Sequence, residues 1–306
     1  MLPYLARRLG YAIVSLAILV LTVMALTRLG GDPALMLLEP GASQADIDAM
    51  RTRLGLDAPF WVQYGHFVWA LLRGDLGTSI YHSIPVAQLY AERLPASLLL
   101  AGVAFAWAVI LGVGIGIVAA VRPNGPLDRI ARLFALIGMA MPAFWLGMLL
   151  IMLLSIELKW LPSSGSGTWA HLLMPALTLG WYFAASHMRL TRSAMLDVLG
   201  SDYVRLARLK GLPEWRVVLV HALKGALIPV LTLAAINLVT MINAAVVVET
   251  VFAWPGIGRL LYEAISFRDF PVIQAIVLLA GVMIVLLNLV TDLLYAVIDP
   301  RVRQVG

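Results

Sequence analysis

The sequence predicts an all-α membrane protein with six transmembrane helices, and three observations predict it. Hydrophobic residues make up 61% and charged residues 13% of the 306-residue chain, against roughly 45–50% and about 25% in soluble domains. Six stretches are apolar over the length, or nearly the length, of about 20 residues that a helix needs to cross the hydrocarbon core. The third observation is that 14 of the 22 Lys and Arg fall in segments that one orientation places on a single side.

The first apolar stretch, Gly10–Leu29, follows Arg7 and Arg8; it exceeds the roughly 7–15 apolar residues of a cleaved signal and reads as a retained span. A long segment follows, from Gly30 to Pro95. In it Ser43 and Asp46 resemble a capping box opening a helix through "DIDAMRTRL", which Gly55 can close. Pro59 then starts a second helix ending near Gly74. Trp61, Tyr64, Val68 and Leu71 share one face of that helix. The plain expectation for the face is packing on its own domain or along the membrane surface, and docking of an outside partner through Trp61, Tyr64 and Val68 is the sharper one.

The remaining spans are expected at Ser97–Val121, Leu133–Ile156, Leu172–Met188, Gly225–Val248 and Val272–Ile298. Gly112 and Gly116, with Gly114 between them, allow another helix to approach the second span. The fourth is the shortest and carries Pro175. Six spans put both termini on one side. With the N-terminus in the cytoplasm, the inner segments hold Arg7, Arg8, Arg122, Arg129, Arg132, Arg189, Arg192, Arg205, Arg208, Lys210, Arg216, Lys224, Arg301 and Arg303. The short outer loops hold Lys159, Arg259 and Arg268, and the other five cations lie in or beside the long outer segment. The organisation is therefore an elbow and first span at 1–30, an extracytoplasmic helical segment at 31–95 and a five-span core at 96–306 with a cytoplasmic loop at 189–224.

Several function classes are excluded or disfavoured. The absence of cysteine removes disulfides, thiolate metal sites and thiol catalysis. The five histidines have no ligand-like spacing, so no metal site is expected. None of Lys159, Lys210 and Lys224 follows a glycine, so there is no P-loop and no ATP hydrolysis by that route. "LPSSGSG" reads as a turn rather than as protease serines. Proton-driven carriers keep ionisable residues near the bilayer midplane, whereas Arg28, His187, Glu249 and Asp292 fall towards the ends of the expected spans and the interiors offer Asn237, Asn243 and Asn288. Asn288 and Asp292 share a helix face; an interhelical hydrogen bond and a pathway lining are both compatible with that.

The stretch "DYVRLARLKGLPEW" places three cations, Arg205, Arg208 and Lys210, in the largest inner loop. Asp202 is suited to cap a helix over Tyr203–Lys210, Gly211 to end it in a left-handed conformation and Pro213 to begin the next. Tyr203, Leu206, Ala207 and Lys210 form a mixed stripe on it. The residue types alone leave a basic tether on anionic headgroups open; a DNA-binding helix-turn-helix is disfavoured in a loop between two spans.

Read together, "DYVRLARLKG" and "HALKGALIP" resemble the coupling loop of ABC importer permeases of the dipeptide, oligopeptide, glutathione and nickel branch. Further blocks follow in order along nearly the whole chain: "GDPA", "LGLDAPFWVQY", "GDLGTS", "MPAFWLGMLL", "MPALTLG", "RLTRSAMLDVL", "VVVETVFAWPGIGRLL", "RDFPVIQ" and "DLLYAVIDPRVR". The resemblance implies a type I importer fold in the bacterial inner membrane, a second homologous permease enclosing the path, two ATPase subunits that bind ATP and Mg, and an extracytoplasmic binding protein; it implies no nucleic acid and no cofactor in this chain. It implies ATPase coupling by Tyr203, Arg205, Ala207, Arg208, Lys210 and Gly211. Candidates for the path are Asn237, Asn243, Glu249, Asn288 and Asp292, and no residue is expected to be catalytic. Arg205 and Leu206 stand where the general importer motif has Glu-Ala, and Gly30 replaces the first proline of the family's Pro-Gly-Asp-Pro turn. An ion-coupled carrier or channel working alone is the alternative. The substrate stays open, with the short outer loop "ELKWLPSSGSGTWAHLLMP" leaning towards glutathione and nickel members.

Overall fold

A computed structural model describes residues 2–29, 34, 38, 41–53 and 56–298. Among them the regular elements are all helical, apart from one isolated bridge between Thr78 and Pro85. In order, the helices are α1 (Leu2–Leu29), α2 (Gln44–Arg53), α3 (Phe60–Leu72), α4 (Val86–Val121), α5 (Pro126–Ala140), α6 (Ala143–Leu150), α7 (Trp169–Leu199), α8 (Asp202–Leu209), α9 (Glu214–Arg216), α10 (Leu223–Val251), α11 (Ile257–Ser266) and α12 (Phe270–Ile298). π-helical turns extend α6 over Ile151–Glu157 and join α9 to α10 over Val217–Ala222.

Each expected apolar segment is helical, with two corrections. Among the described residues three rods are long and apolar enough to cross a membrane, at Val86–Val121, Glu214–Val251 and Phe270–Leu289, and α1 carries an apolar stretch at Gly10–Ala25. The third expected span is not one rod. α5 and α6 meet at 108°, because Pro142 has no amide to donate and forces Met141 into an extended conformation (φ −87°, ψ 119°). The fourth expected span is longer than expected: α7 runs straight through Pro175, which lies in its second turn and costs one hydrogen bond, and continues to Leu199. His187 is therefore well inside its helix and fully buried, not towards a span end.

The chain divides into two compact units, 1–94 with 260–306, and 95–259. In the second, α7 is the hub, packing on α5, α6 and α10. It also lies against α4 at the expected glycines. A Cβ on Gly112 would sit 2.6 Å from the Ala184 carbonyl oxygen, and one on Gly116 would sit 2.8 Å from that of Met188, whereas Gly114 faces open space. Leu100, Ala104, Leu179, Phe183, Met241 and Phe252 fill the core around it. Near its end, Arg192 holds the fully buried Asp128 through two hydrogen bonds of 2.5 and 2.9 Å, and Asp128 also accepts from the Asn124 amide at 2.9 Å.

In the first unit, α12 packs on α1. The expected capping box is formed: the Ser43 hydroxyl donates to Asp46 at 2.7 Å and accepts from the Asp46 amide at 3.3 Å, and that hydroxyl, with the Ser43 amide, holds the Asp46 carboxyl below its ordinary range. Gly55, residues 31–33 of the "GDPA" turn and the Arg301 and Arg303 pair lie outside the described residues. Pro59 precedes α3 and Arg73 with Gly74 (φ +77°) ends it. Between α3 and α4, the loop over Ser79–Tyr81 closes on buried Asp269, which accepts from the Ser79 hydroxyl (2.5 Å) and the Ile80 and Tyr81 amides (both 3.2 Å).

Candidate coupling surface and translocation face

α8 is a short helix with one face committed. Val204 and Ala207 are buried among Ala120, Met195, Val217, Val218 and Ala222. Tyr203, Leu206 and Leu209 remain exposed, Leu209 at 84%, together with Arg205 and Lys210. Of the six residues expected to couple, Ala207 thus faces its own chain and seats the helix, while Tyr203, Arg205, Arg208, Lys210 and Gly211 present outward. Tyr203 lies across Gly225, where a Cβ would come within 2.6 Å of its hydroxyl.

The ends of α8 explain its placement. Ser201, not Asp202, occupies the N-cap position, and its hydroxyl bonds back to the Val198 carbonyl at 2.5 Å. Asp202 is the first helical residue, where its charge suits the positive end of the helix dipole; the expectation was one residue late. Lys210 ends the helix and Gly211 adopts φ +74°, a conformation that costs other L-residues about 1–2 kcal/mol. Across the break Arg208 clamps Glu214 with hydrogen bonds of 2.7 and 3.2 Å. The π-helical turn that follows packs on α8, so the loop's tilt is tied directly to the start of the long rod ending at Val251.

The path candidates have different surroundings. Asn237 is buried, its amide nitrogen 3.4 Å from His187 Nδ1, which lies 2.8 Å from the Phe183 carbonyl. Glu249 is fully enclosed: its carboxylate accepts from the Ser97 hydroxyl at 2.6 Å and from the Arg259 amide at 3.1 Å, capping the first turn that begins at Ile257. Gly256 is required beside it, since a Cβ there would fall 2.3 Å from the carboxylate. Glu249 is therefore a structural anchor in this conformation, whereas Asn243 and Asn288 are exposed on the isolated chain. The side chain of Asp292 lies outside the described residues.

The outer docking candidates also separate. Trp61 is 69% exposed, but the Tyr64 hydroxyl donates to the Ala17 carbonyl of α1 at 3.2 Å, and Val68 is half-buried. Tyr64 thus packs on its own unit. Tyr64→Phe, which removes only that hydrogen bond, is expected to lower the thermal midpoint of the purified chain by a few degrees at most, given about 0.5–1.5 kcal/mol for one such bond. A large drop, measured by scanning fluorimetry, would show that α3 is held mainly through this tyrosine.

Sequence reasoning missed three features. The Asp128–Arg192 pair joins residues 64 apart, which no local pattern marks. The Glu249–Ser97 contact spans 152 residues. The third is a cavity of about 460 Å³ at the α5–α6 break; its signal was available in "MP" at Met141–Pro142, in the middle of an apolar run.

Residues 112–304 match the family described as "Binding-protein-dependent transport system inner membrane component", and residues 1–101 match the corresponding N-terminal family. The glutathione transport system permease protein GsiC of Pectobacterium atrosepticum is 46% identical over 304 residues, covering 99% of both chains. The protein of the same name from Escherichia coli K12 is 44% identical with the same coverage. Among solved structures, an inward-facing MetNI methionine ABC transporter chain aligns with a TM-score of 0.59 at 19% identity, covering 69% of this chain and 97% of the other. An amino acid ABC transporter aligns at 0.54 and 16%, covering 68% and 92%. At those identities the two structures speak to fold alone.

Proposed function

The chain belongs to the binding-protein-dependent transport system inner membrane component family and is a permease subunit of an ABC importer; on that premise we propose that it couples ATP hydrolysis in trans to uptake of glutathione or a similarly small peptide. In this reading a second homologous permease completes the path, two ATPase subunits bind ATP and Mg, and an extracytoplasmic binding protein delivers the solute. Both termini lie in the cytoplasm, so α8 faces the ATPase subunits. The relatives named for glutathione transport support the substrate.

The observation that carries the coupling role is the two-faced build of α8. Its small buried face, Val204 and Ala207, fixes it to the chain, while Tyr203, Leu206 and Leu209 leave an apolar outer face of the kind that a helix lays into a partner's groove. Arg208 and Glu214 hold the turn behind it.

Because the chain contains no cysteine, single cysteines report position without background. Leu206→Cys is expected to cross-link to an ATPase subunit, carrying a cysteine in its groove, in the assembled complex. In intact cells Lys210→Cys is expected to resist a membrane-impermeant maleimide and Tyr81→Cys to react with it. Labelling of Lys210→Cys from outside would reverse the orientation, and failure of Leu206→Cys to cross-link at any groove position would remove α8 from the ATPase interface.

A further inference from the structure

The bend at Met141–Pro142 leaves α6 beginning in the middle of an apolar segment with no side-chain cap. The first backbone bond there runs from the Leu146 amide to the Pro142 carbonyl at 3.1 Å. The amides of Ala143, Phe144 and Trp145 therefore precede the helical ladder and have no acceptor within it. They carry the positive end of the helix dipole. Backbone donors at such a place in a membrane-spanning protein persist where they border a cavity that something polar enters.

A cavity borders this helix start at Ala143. It has a volume of about 460 Å³ and is lined by Pro142 and Ala143 at the break and by Thr178 and Trp181 of α7, within the roughly 300–1,000 Å³ typical of small-ligand pockets. Thr178 is 2% exposed, and its Oγ1 has no hydrogen-bond partner in the protein. The buried Trp181 Nε1, which can only donate, also lacks one. Met139, Met141 and Leu179 supply apolar wall. A buried hydroxyl without a partner costs free energy unless a ligand or water meets it.

The polar inventory selects a ligand class. The lining contains Ala143 at the helix start, the hydroxyls of Thr178, Tyr182 and Thr240, the last already bonded to the Ile236 carbonyl, and the indole of Trp181, but no Asp, Glu, Lys, Arg or His. Such a donor set suits a single negative charge spread over two oxygens, since donors at a helix N-terminus stabilise an anion without a full counter-charge. The methionines suit a short aliphatic portion beside it. We propose that this cavity is a subsite for the carboxylate of a small peptide-like solute in transit, met by the α6 amides and by Thr178. The proposal deepens the importer reading above and rests on it.

The test uses the full chain assembled with its permease and ATPase partners in nanodiscs, without binding protein. Equilibrium binding of labelled glutathione and of labelled alanyl-alanine is compared with that of their carboxamides. At least one acid probe is expected to bind saturably, with its carboxamide at least tenfold weaker. Thr178→Val is expected to weaken acid binding about tenfold, as loss of a hydrogen bond to a charged group does, and Thr178→Ser to stay within twofold of the unaltered chain. Inorganic phosphate is expected not to compete. No saturable binding of either acid, equal binding of acid and carboxamide, equal binding by Thr178→Val, or effective competition by phosphate would each overturn the subsite. ATP-driven uptake into liposomes, with binding protein present, reads the parent proposal separately. Uptake without binding at this cavity overturns the subsite alone, and binding without uptake supports the subsite while removing the importer reading.

Discussion

Gly112→Val is expected to remove most of the folded chain from the membrane, the largest effect of any single substitution considered. A Cβ at Gly112 would stand 2.6 Å from the Ala184 carbonyl oxygen and 2.7 Å from the His187 Cβ, where ordinary contact begins at 3.4 Å. The obstacle on α7 is backbone and a fully buried side chain, so neither can swing aside as a flexible chain end would. α4 and α7 must then separate, and α7 is the helix on which α5, α6 and α10 all pack. Overpacking of a tight core typically costs about 1–3 kcal/mol; a displacement shared by several interfaces falls at or above the top of that range. Gly114→Val is the internal control, since a Cβ there meets nothing within 4 Å. The measurement is the amount of monodisperse protein extracted in mild detergent, and equal yields from the two variants would show that this crossing does not hold the unit together.

What the sequence revealed follows the range of each interaction. The Ser43–Asp46 box, the Pro59 start and the Gly211 stop depend on residues within a few positions, and each appears in the structure. Gly112 and Gly116 announced a close helix, though not that α7 would supply it. Hydropathy located α4, α10 and α12 because their exposed sides are apolar. It underestimated α7 because a helix wrapped by protein has no need of apolar residues on every face; Thr178, His187 and Thr191 are all buried along it. It also ran through the α5–α6 break, since both arms are apolar and a window average does not register direction.

The candidate site was legible to the same degree. The α8 segment could be read because its start, stop and faces are local, yet Ala207 turned inward because Val217, Val218 and Ala222 approach from beyond the break. Glu249 was open to being read as a polar path residue. Only the fold brings Ser97 and the Arg259 amide to its carboxylate and turns it into a cap. In the same way a chain-distant partner, Arg192, makes Asp128 an anchor for the first turn of α5.

Gly211→Val is expected to leave assembly intact and abolish transport. A Cβ at this position meets no neighbouring atom within 4 Å, so the substitution creates no clash with the rest of the protein; the strain lies wholly in φ +74°. A β-branched residue there costs about 1–2 kcal/mol or more, too little to unfold the packed rods and enough to shift the turn between α8 and Glu214. The Arg208–Glu214 clamp, at 2.7 Å across that turn, either breaks or carries the shift into the π-helical turn at Val217–Ala222 and so into the rod ending at Val251. Asparagine tolerates the left-handed region, so Gly211→Asn is expected to retain at least half of the uptake of the unaltered chain. The variants are compared in proteoliposomes with ATPase partners and binding protein, reading ATP hydrolysis and solute uptake together. Hydrolysis that persists without uptake in Gly211→Val, with uptake restored in Gly211→Asn, is the signature of a helix whose tilt transmits motion. Equal uptake by all three would leave α8 a basic tether on the membrane surface and would end the coupling assignment.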